Sequence, residues 1–137
     1  NMGNTCFMNA GLQCLSHIEP ISAYFLTGKY AEELNPSNPF GTGGHLAKGF
    51  AKLQEMLWQR RSRTHSPSHI HSTLSKFARH LFRDADQQDA QELLAYLLDG
   101  LHEDLNLVKV ERKESRRDME PKVDSDEEDE RMAQLER

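Results

Sequence analysis

Residues 1–15, NMGNTCFMNAGLQCL, decide the fold, because they have the pattern of an amphipathic helix that begins at a cysteine. Small or polar residues suited to a tight turn and an N-cap precede Cys6. Behind it, residues at helical spacing predict a buried stripe: Phe7, Gly11, Cys14, Leu15 and Ile18. The pattern anchors this helix in a core and leaves Cys6 at its open end.

Cys6 is the candidate nucleophile of the chain. At a helix N-terminus, a thiol meets the positive end of the helix dipole, which favours the reactive thiolate. The alternative is a structural role, since free cysteines are commonly buried as small hydrophobic side chains. Cys14 lies about 12 Å further along the same helix, too far for a disulfide, and is predicted to be core.

Helical periodicity continues along the chain, and no segment keeps the strict alternation of a half-buried strand. Pro20 ends or redirects the first helix, and residues 21–26 predict a short second helix closed by Gly28. Two longer helices are expected to begin near Gly44 and at Ser66-Pro67. Their predicted buried stripes are Leu46, Phe50, Leu53 and Leu57, then Ile70, Leu74, Phe77 and Leu81.

The last helix has the widest apolar face. Asp86 is predicted to cap it, with Asp89 and Glu92 near its positive end. Both acids can simply favour the helix dipole, or they can meet a cationic partner together. The predicted apolar face comprises Ala90, Leu93, Leu94, Leu97, Leu98, Leu101 and Leu105.

Composition limits the possible functions. The 137 residues are 36% hydrophobic and 28% charged, enough for one modest core. Two cysteines, and no signal-peptide or membrane-spanning pattern, favour the cytoplasm or the nucleus and no membrane partner. Residues 1–108 are nearly neutral, and the one basic cluster, in residues 60–63, has only Trp58 beside it. This pattern argues against a nucleic-acid partner.

Two segments together resemble a known family. GNTCFMN and LQCL, in residues 3–15, are similar to the cysteine box of ubiquitin-specific proteases, the papain-like deubiquitinases. QQDAQELLAYLLD, residues 87–99, looks like the glutamine-rich box of that family, in the same order along the chain. The resemblance extends from Asn1 to about Asn106 and implies a mainly α fold: the helical thumb-like subdomain of a papain-like α+β cysteine protease, without its sheet-containing half.

The resemblance also implies residue roles. Cys6 is the catalytic nucleophile, and Asn1, five residues earlier, stabilises the oxyanion together with the backbone N–H of Cys6. Asp89, then Glu92, are expected to contact the basic tail of ubiquitin, with Gln88 and its neighbour Gln87 as weaker candidates. Ubiquitin or ubiquitinated proteins are therefore the expected partners.

Part of the expected machinery is not found in the sequence. A cysteine protease needs a histidine as acid and base, and none of the seven histidines has the glycine-histidine-aromatic setting that the family uses. The remaining half of the catalytic domain is thus expected to be needed for activity. Because His65, His69 and His71 lack supporting ligands, and paired Cys-x-x-Cys motifs are absent, we expect no metal and no cofactor.

The sequence divides into residues 1–106, the helical subdomain, and residues 107–137, a charged segment expected to be a disordered insertion or tail. The helical part is expected to expose an apolar patch where the absent sheet would pack, and so to associate. Two other interpretations stay open. The chain can be a non-catalytic ubiquitin-binding module, or a general helical interaction module with a structural Cys6.

Overall fold

A computed structural model describes residues 3–59, 65–82 and 87–108, and these ranges contain helices and turns but no strand. This confirms the mainly α fold. Two short helices, α3 and α6, were not predicted from the sequence. The helices are α1 (Cys6–Ser16), α2 (Glu19–Leu26), α3 (Tyr30–Glu33), α4 (His45–Trp58), α5 (Ser68–Phe77), α6 (Arg79–Phe82) and α7 (Ala90–Asp104).

Helix α1 packs on α2 and α7, but its buried face is shifted around the helix from the predicted stripe. Cys14 and Ile18 were predicted to be buried, and both are exposed. Because successive residues turn by about 100°, a small rotation of the packed face moves a residue from core to solvent. The residues that α1 does bury are Phe7, Met8, Gly11, Leu12, Leu15 and Ser16.

Helix α2 begins one residue before Pro20, which lies in its first turn, where proline's missing N–H costs no hydrogen bond. The Tyr24 hydroxyl donates a hydrogen bond to the Glu33 carboxylate and so ties α2 to the short α3. Burial and this neighbouring carboxylate raise the pKa of Tyr24, so its hydroxyl stays protonated. Phe25 carries α2 into the core, where its ring meets the Phe50 ring edge-on.

Helices α4 and α5 pack against each other and bury most of their predicted stripes. Phe50, Ile70 and Leu74 are almost fully buried. The second stripe fails at Phe77, which is partly exposed, because α5 ends at this residue and the chain restarts as α6 after Ala78. Leu81 is buried as predicted, but on α6.

The N-cap of helix α7, which begins at Ala90, is Asp89. The predicted cap was Asp86, which lies outside the described residues. The Asp89 side chain accepts a hydrogen bond from the N–H of Gln91 at 2.7 Å, as an N-cap does. Leu93 and Leu97 are fully buried, as predicted. Leu98 is 45% exposed, which corrects its predicted place in the core. The described helices include none long and apolar enough to cross a bilayer.

The buried carboxylate of Asp104 joins the end of α7 to the start of α4. Its two oxygens accept hydrogen bonds from the N–H and hydroxyl of Thr42, at 2.6 and 2.7 Å. They also accept from the N–H groups of Gly44 and Ala47, at 3.2 and 3.1 Å. Gly44 adopts a φ of 82°, a left-handed conformation that favours glycine. This carboxylate therefore satisfies N–H groups at the start of α4 that have no partner within the helix.

We predict that Asp104→Asn lowers the free energy of unfolding by about 3 kcal/mol, because an amide places a donor against donors in a buried site. Urea denaturation followed by circular dichroism measures the loss. Asp99→Asn, the same change at an exposed position of α7, should stay within about 0.5 kcal/mol of the parent. Equal effects of the two changes would contradict the role given to Asp104.

Candidate active site

Cys6 is the first residue of α1, and its side chain is exposed to solvent. The turn before it is tight: the N–H of Thr5 donates to the carbonyl of Gly3 at 2.8 Å. Gly3 enters this turn with a φ of 83°, a left-handed conformation that favours glycine. Thr5 is itself buried, so the turn is anchored while the cysteine faces outward. The predicted orientation of Cys6 is thus found in the structure.

The glutamine-rich segment lies directly beside this cysteine. The Cys6 thiol donates a hydrogen bond to the side-chain carbonyl of Gln87, with 2.8 Å between Sγ and Oε1. Gln87 stands three residues before the first residue of α7. The two motifs, far apart in sequence, therefore meet at one point.

Helices α1 and α7 run side by side from that point. Gly11, one turn and a half into α1, faces Leu93 and Leu94 of α7, and a Cβ at this glycine would lie 3.4 Å from Leu94 Cγ. Since the helix starts are together and their next turns also touch, the two helices point in the same direction. Two positive helix ends consequently converge near Cys6.

The predicted recognition acids lie on the first turn of α7. Asp89 is exposed and caps α7. This residue therefore stabilises the start of the helix, whether or not it also binds a partner. Glu92 is 54% exposed, and its Oε1 lies 3.7 Å from Nε2 of His80. The carboxylate of Glu92 is thus open to an incoming cation.

An aromatic wall borders these acids. The His80 ring packs edge-on against the Tyr96 ring, with 5.9 Å between centroids. Burial, followed by the negative charges of Asp104 and Asp99, raises the pKa of Tyr96, so its hydroxyl stays protonated near neutral pH. An open cavity of about 470 Å³ is lined by His80 together with Ser75, Arg79 and Phe82.

Some predicted site residues are not brought together. Asn1 lies outside the described residues, so its oxyanion role stays a prediction. Gln88 is half-buried, but the glutamine that reaches the sulfur is Gln87, which the sequence marked only as a weaker candidate. The local sequence does not separate Gln87 from Gln88, because both precede the capping Asp89 and only the path of the backbone decides which one reaches Cys6.

The site as described contains no imidazole at the sulfur, because the hydrogen-bond partner of Cys6 is the Gln87 amide. Across residues 3–59, 65–82 and 87–108, no three His, Cys, Asp or Glu side chains cluster as a metal site would require. The arrangement therefore offers a thiol, an amide and two carboxylates.

This combination can be compared with known proteins. A family model described as ubiquitin carboxyl-terminal hydrolase matches residues 1–133. The chain belongs to this family. The match confirms the resemblance drawn from the two boxes, and it includes both Cys6 and the start of α7.

Relatives within the family are similar over most of this chain. Ubiquitin carboxyl-terminal hydrolase 32 of Homo sapiens is 48% identical over 108 residues, 79% of this chain and 7% of the relative. Ubiquitin carboxyl-terminal hydrolase 15 of Rattus norvegicus is 49% identical over 109 residues, 80% of this chain and 11% of the relative. Ubiquitin carboxyl-terminal hydrolase 4 of Bos taurus is 49% identical, with the same coverage. The chain thus spans about a tenth of these relatives.

We predict that Gln87→Ala speeds alkylation of Cys6 by iodoacetamide about two- to fivefold. The substitution removes the side-chain carbonyl that accepts the thiol hydrogen bond and the side chain that lies against the sulfur. Cys14, also exposed, is an internal reference in the same molecule. Mass spectrometry of the two cysteine peptides gives both rates. Gln88→Ala should leave the ratio unchanged, and a ratio that responds equally to both changes would contradict the assigned contact.

Proposed function

We propose that this chain is the nucleophile-bearing helical part of a cysteine-dependent deubiquitinase. The observation that carries the proposal is the contact of Cys6 with Gln87, which joins the cysteine box to the acid-bearing start of α7. An exposed thiol next to exposed carboxylates suits an enzyme that holds a cationic peptide tail and attacks its end. Ubiquitin and ubiquitinated proteins are the proposed partners.

In the proposed reaction, the Cys6 sulfur attacks the carbonyl carbon at the C-terminus of ubiquitin. The bond to the substrate amine breaks, the amine leaves with a proton, and a thioester remains. Water then attacks the thioester and returns the thiol. A histidine from the remaining half of the catalytic domain would accept the thiol proton and deliver it to the amine.

Charge stabilisation in this reaction would come from the helix starts. The tetrahedral intermediate carries a negative oxygen, which the backbone N–H of Cys6 and the amide of Asn1 would bind. The N-terminus of α1 carries roughly half a positive charge, which favours an anion at this place, whereas the start of α7 is already capped by the Asp89 carboxylate.

Recognition of the tail would depend on Glu92 and Asp89. Glu92 is the better candidate for contact with the tail, because the Asp89 carboxylate already accepts a hydrogen bond as the cap of α7. Exposed ion pairs are individually weak, about 0.2 to 1 kcal/mol, and weaken with salt. The acids would therefore guide and position the tail, while other contacts supply most of the affinity.

A second candidate is a ubiquitin-binding module without catalysis. The observation that favours it is the exposure of Glu92, whose carboxylate can bind a cationic tail whether or not Cys6 reacts. Nucleic acid and membrane are not proposed as partners, and the cytoplasm or nucleus is the proposed location.

We predict that ubiquitin bearing a cysteine-reactive C-terminal group forms a covalent adduct with this chain at Cys6. Cys6→Ser should abolish the adduct, whereas Cys14→Ser should retain it, since both thiols are exposed but only Cys6 lies at the acidic start of α7. Gel shift and peptide mass spectrometry report the outcome. Labelling of Cys14, or labelling that survives Cys6→Ser, would refute the assignment.

We predict that Glu92→Gln slows this labelling about threefold at low salt, equivalent to less than 1 kcal/mol. The difference should shrink at 1 M salt, where charges are screened over about 3 Å. Glu55→Gln, at an exposed position of α4, is the matched control and should label at the parent rate. Equal slowing by both changes would argue against a specific role of Glu92.

A further inference from the structure

The side-chain amide of Gln87 lies against the sulfur of Cys6. The thiol donates to Oε1 of Gln87 across 2.8 Å, and both side chains are exposed to solvent. The nitrogen Nε2 is bonded to the same carbon as Oε1, so a half-turn of the amide exchanges an acceptor for a donor. The last torsion of a glutamine side chain has a broad, roughly two-fold preference, so this half-turn costs little. Gln87 can therefore accept a hydrogen bond from the resting thiol and donate one at a later stage.

Attack by the sulfur reverses what this amide faces. In the resting state, the thiol holds the proton of the hydrogen bond to Gln87. When the Cys6 sulfur bonds to a carbonyl carbon, the thiol proton goes to the base, and one electron pair of the C=O bond moves to the oxygen. The sulfur then has no proton to donate, and a negative oxygen lies two bonds away from it. An amide beside the sulfur now faces an acceptor, which its NH₂ group matches.

The start of α1 borders the same place. In the described part of the chain, the side chain of Thr5, the N-cap of α1, makes no capping hydrogen bond. It therefore does not occupy the first N–H groups of the helix, which have no partner within the helix itself. The start of α7 differs, because the Asp89 carboxylate accepts from the N–H of Gln91. Of the two helix starts near Cys6, α1 is thus the one that better suits a negative oxygen.

We propose that Gln87 is a further catalytic residue, whose side-chain amide donates a hydrogen bond to the oxyanion that forms when Cys6 attacks. This inference rests on the proposed function and adds one donor to the backbone N–H of Cys6. A donor held where negative charge develops lowers the barrier of the reaction without adding affinity for the unreacted tail. Because Gln87 is exposed, the gain is about tenfold and below the value for a sealed site.

The proposal separates two kinds of electrophile. Displacement of iodide from iodoacetamide forms a bond from sulfur to carbon but leaves no negative oxygen on the attacked carbon. Gln87→Ala then removes only the acceptor and the side chain that lies against Cys6. Addition to a carbonyl places negative charge on oxygen, so the same substitution removes a donor. We expect opposite signs: faster alkylation by iodoacetamide, but weaker binding of an aldehyde.

Ubiquitin with a C-terminal aldehyde tests the proposal in the full chain carrying Cys14→Ser. The Cys6 thiol adds to the aldehyde carbon, its hydrogen passes to the oxygen, and the adduct resembles the tetrahedral intermediate. Ubiquitin that ends in the corresponding alcohol cannot be attacked and measures the tail contacts alone. We expect Gln87→Ala to weaken aldehyde binding about five- to tenfold and to change alcohol binding less than about twofold. Fluorescence anisotropy of labelled ubiquitin gives both affinities.

Two further variants separate donation from shape. Gln87→Glu keeps the shape of the side chain but has no donor at neutral pH, so it should lose at least as much aldehyde binding as Gln87→Ala. Gln13→Ala, at an exposed position of α1, is the matched control and should keep both affinities. Equal losses for aldehyde and alcohol would assign Gln87 to the tail contact and overturn the proposal. Aldehyde binding at the parent level by either Gln87 variant would overturn it as well.

Failure of the proposed function would give a different result. If the parent bound aldehyde and alcohol equally, or if Cys6→Ser kept the preference for the aldehyde, the proposed function would fail, and this inference with it. A preference for the aldehyde that requires Cys6 but survives Gln87→Ala would overturn this inference alone.

Discussion

The buried Asp104 carboxylate is the constraint on which the remaining arrangement depends. Burying a charge is costly unless hydrogen bonds replace its water, and donors from Thr42, Gly44 and Ala47 do so here. The loop before α4 is fastened to the same end of α7, since the backbone N–H of Asn35 donates to the Asp104 carbonyl and Asn38 donates to the Glu103 carbonyl. One end of α7 is thereby fixed against both the loop and α4.

Because the C-terminal end of α7 is fixed, its N-terminal end is fixed as well. Helix α7 has 15 residues and is about 22 Å long, and it is stiff because its backbone bonds are internal. Its start must then meet α1 where Gly11 lets the leucines of α7 approach. The contact of Gln87 with Cys6 follows from this geometry, so a buried acid far from the sulfur helps to position the site.

In this member of the ubiquitin carboxyl-terminal hydrolase family, the two ends of α7 have different surroundings. Its start carries the capping Asp89 and the exposed Glu92 beside the thiol, and its end borders an apolar groove. The two regions use different physics: charge and hydrogen bonds at one end, apolar burial at the other.

The sequence alone determined the helical class, the family and the outward position of Cys6. These follow from local rules: helical periodicity, the turn chemistry before a helix, and the residue types of two short motifs. Tertiary structure alone decided that Cys14 and Leu98 face solvent and that Gln87 touches the sulfur. The same holds for Asp104, whose donors lie about 60 residues away in the chain. Which part of a helix is buried, and which distant donor reaches a buried acid, depends on the neighbour that packs there, and periodicity carries no information about that neighbour.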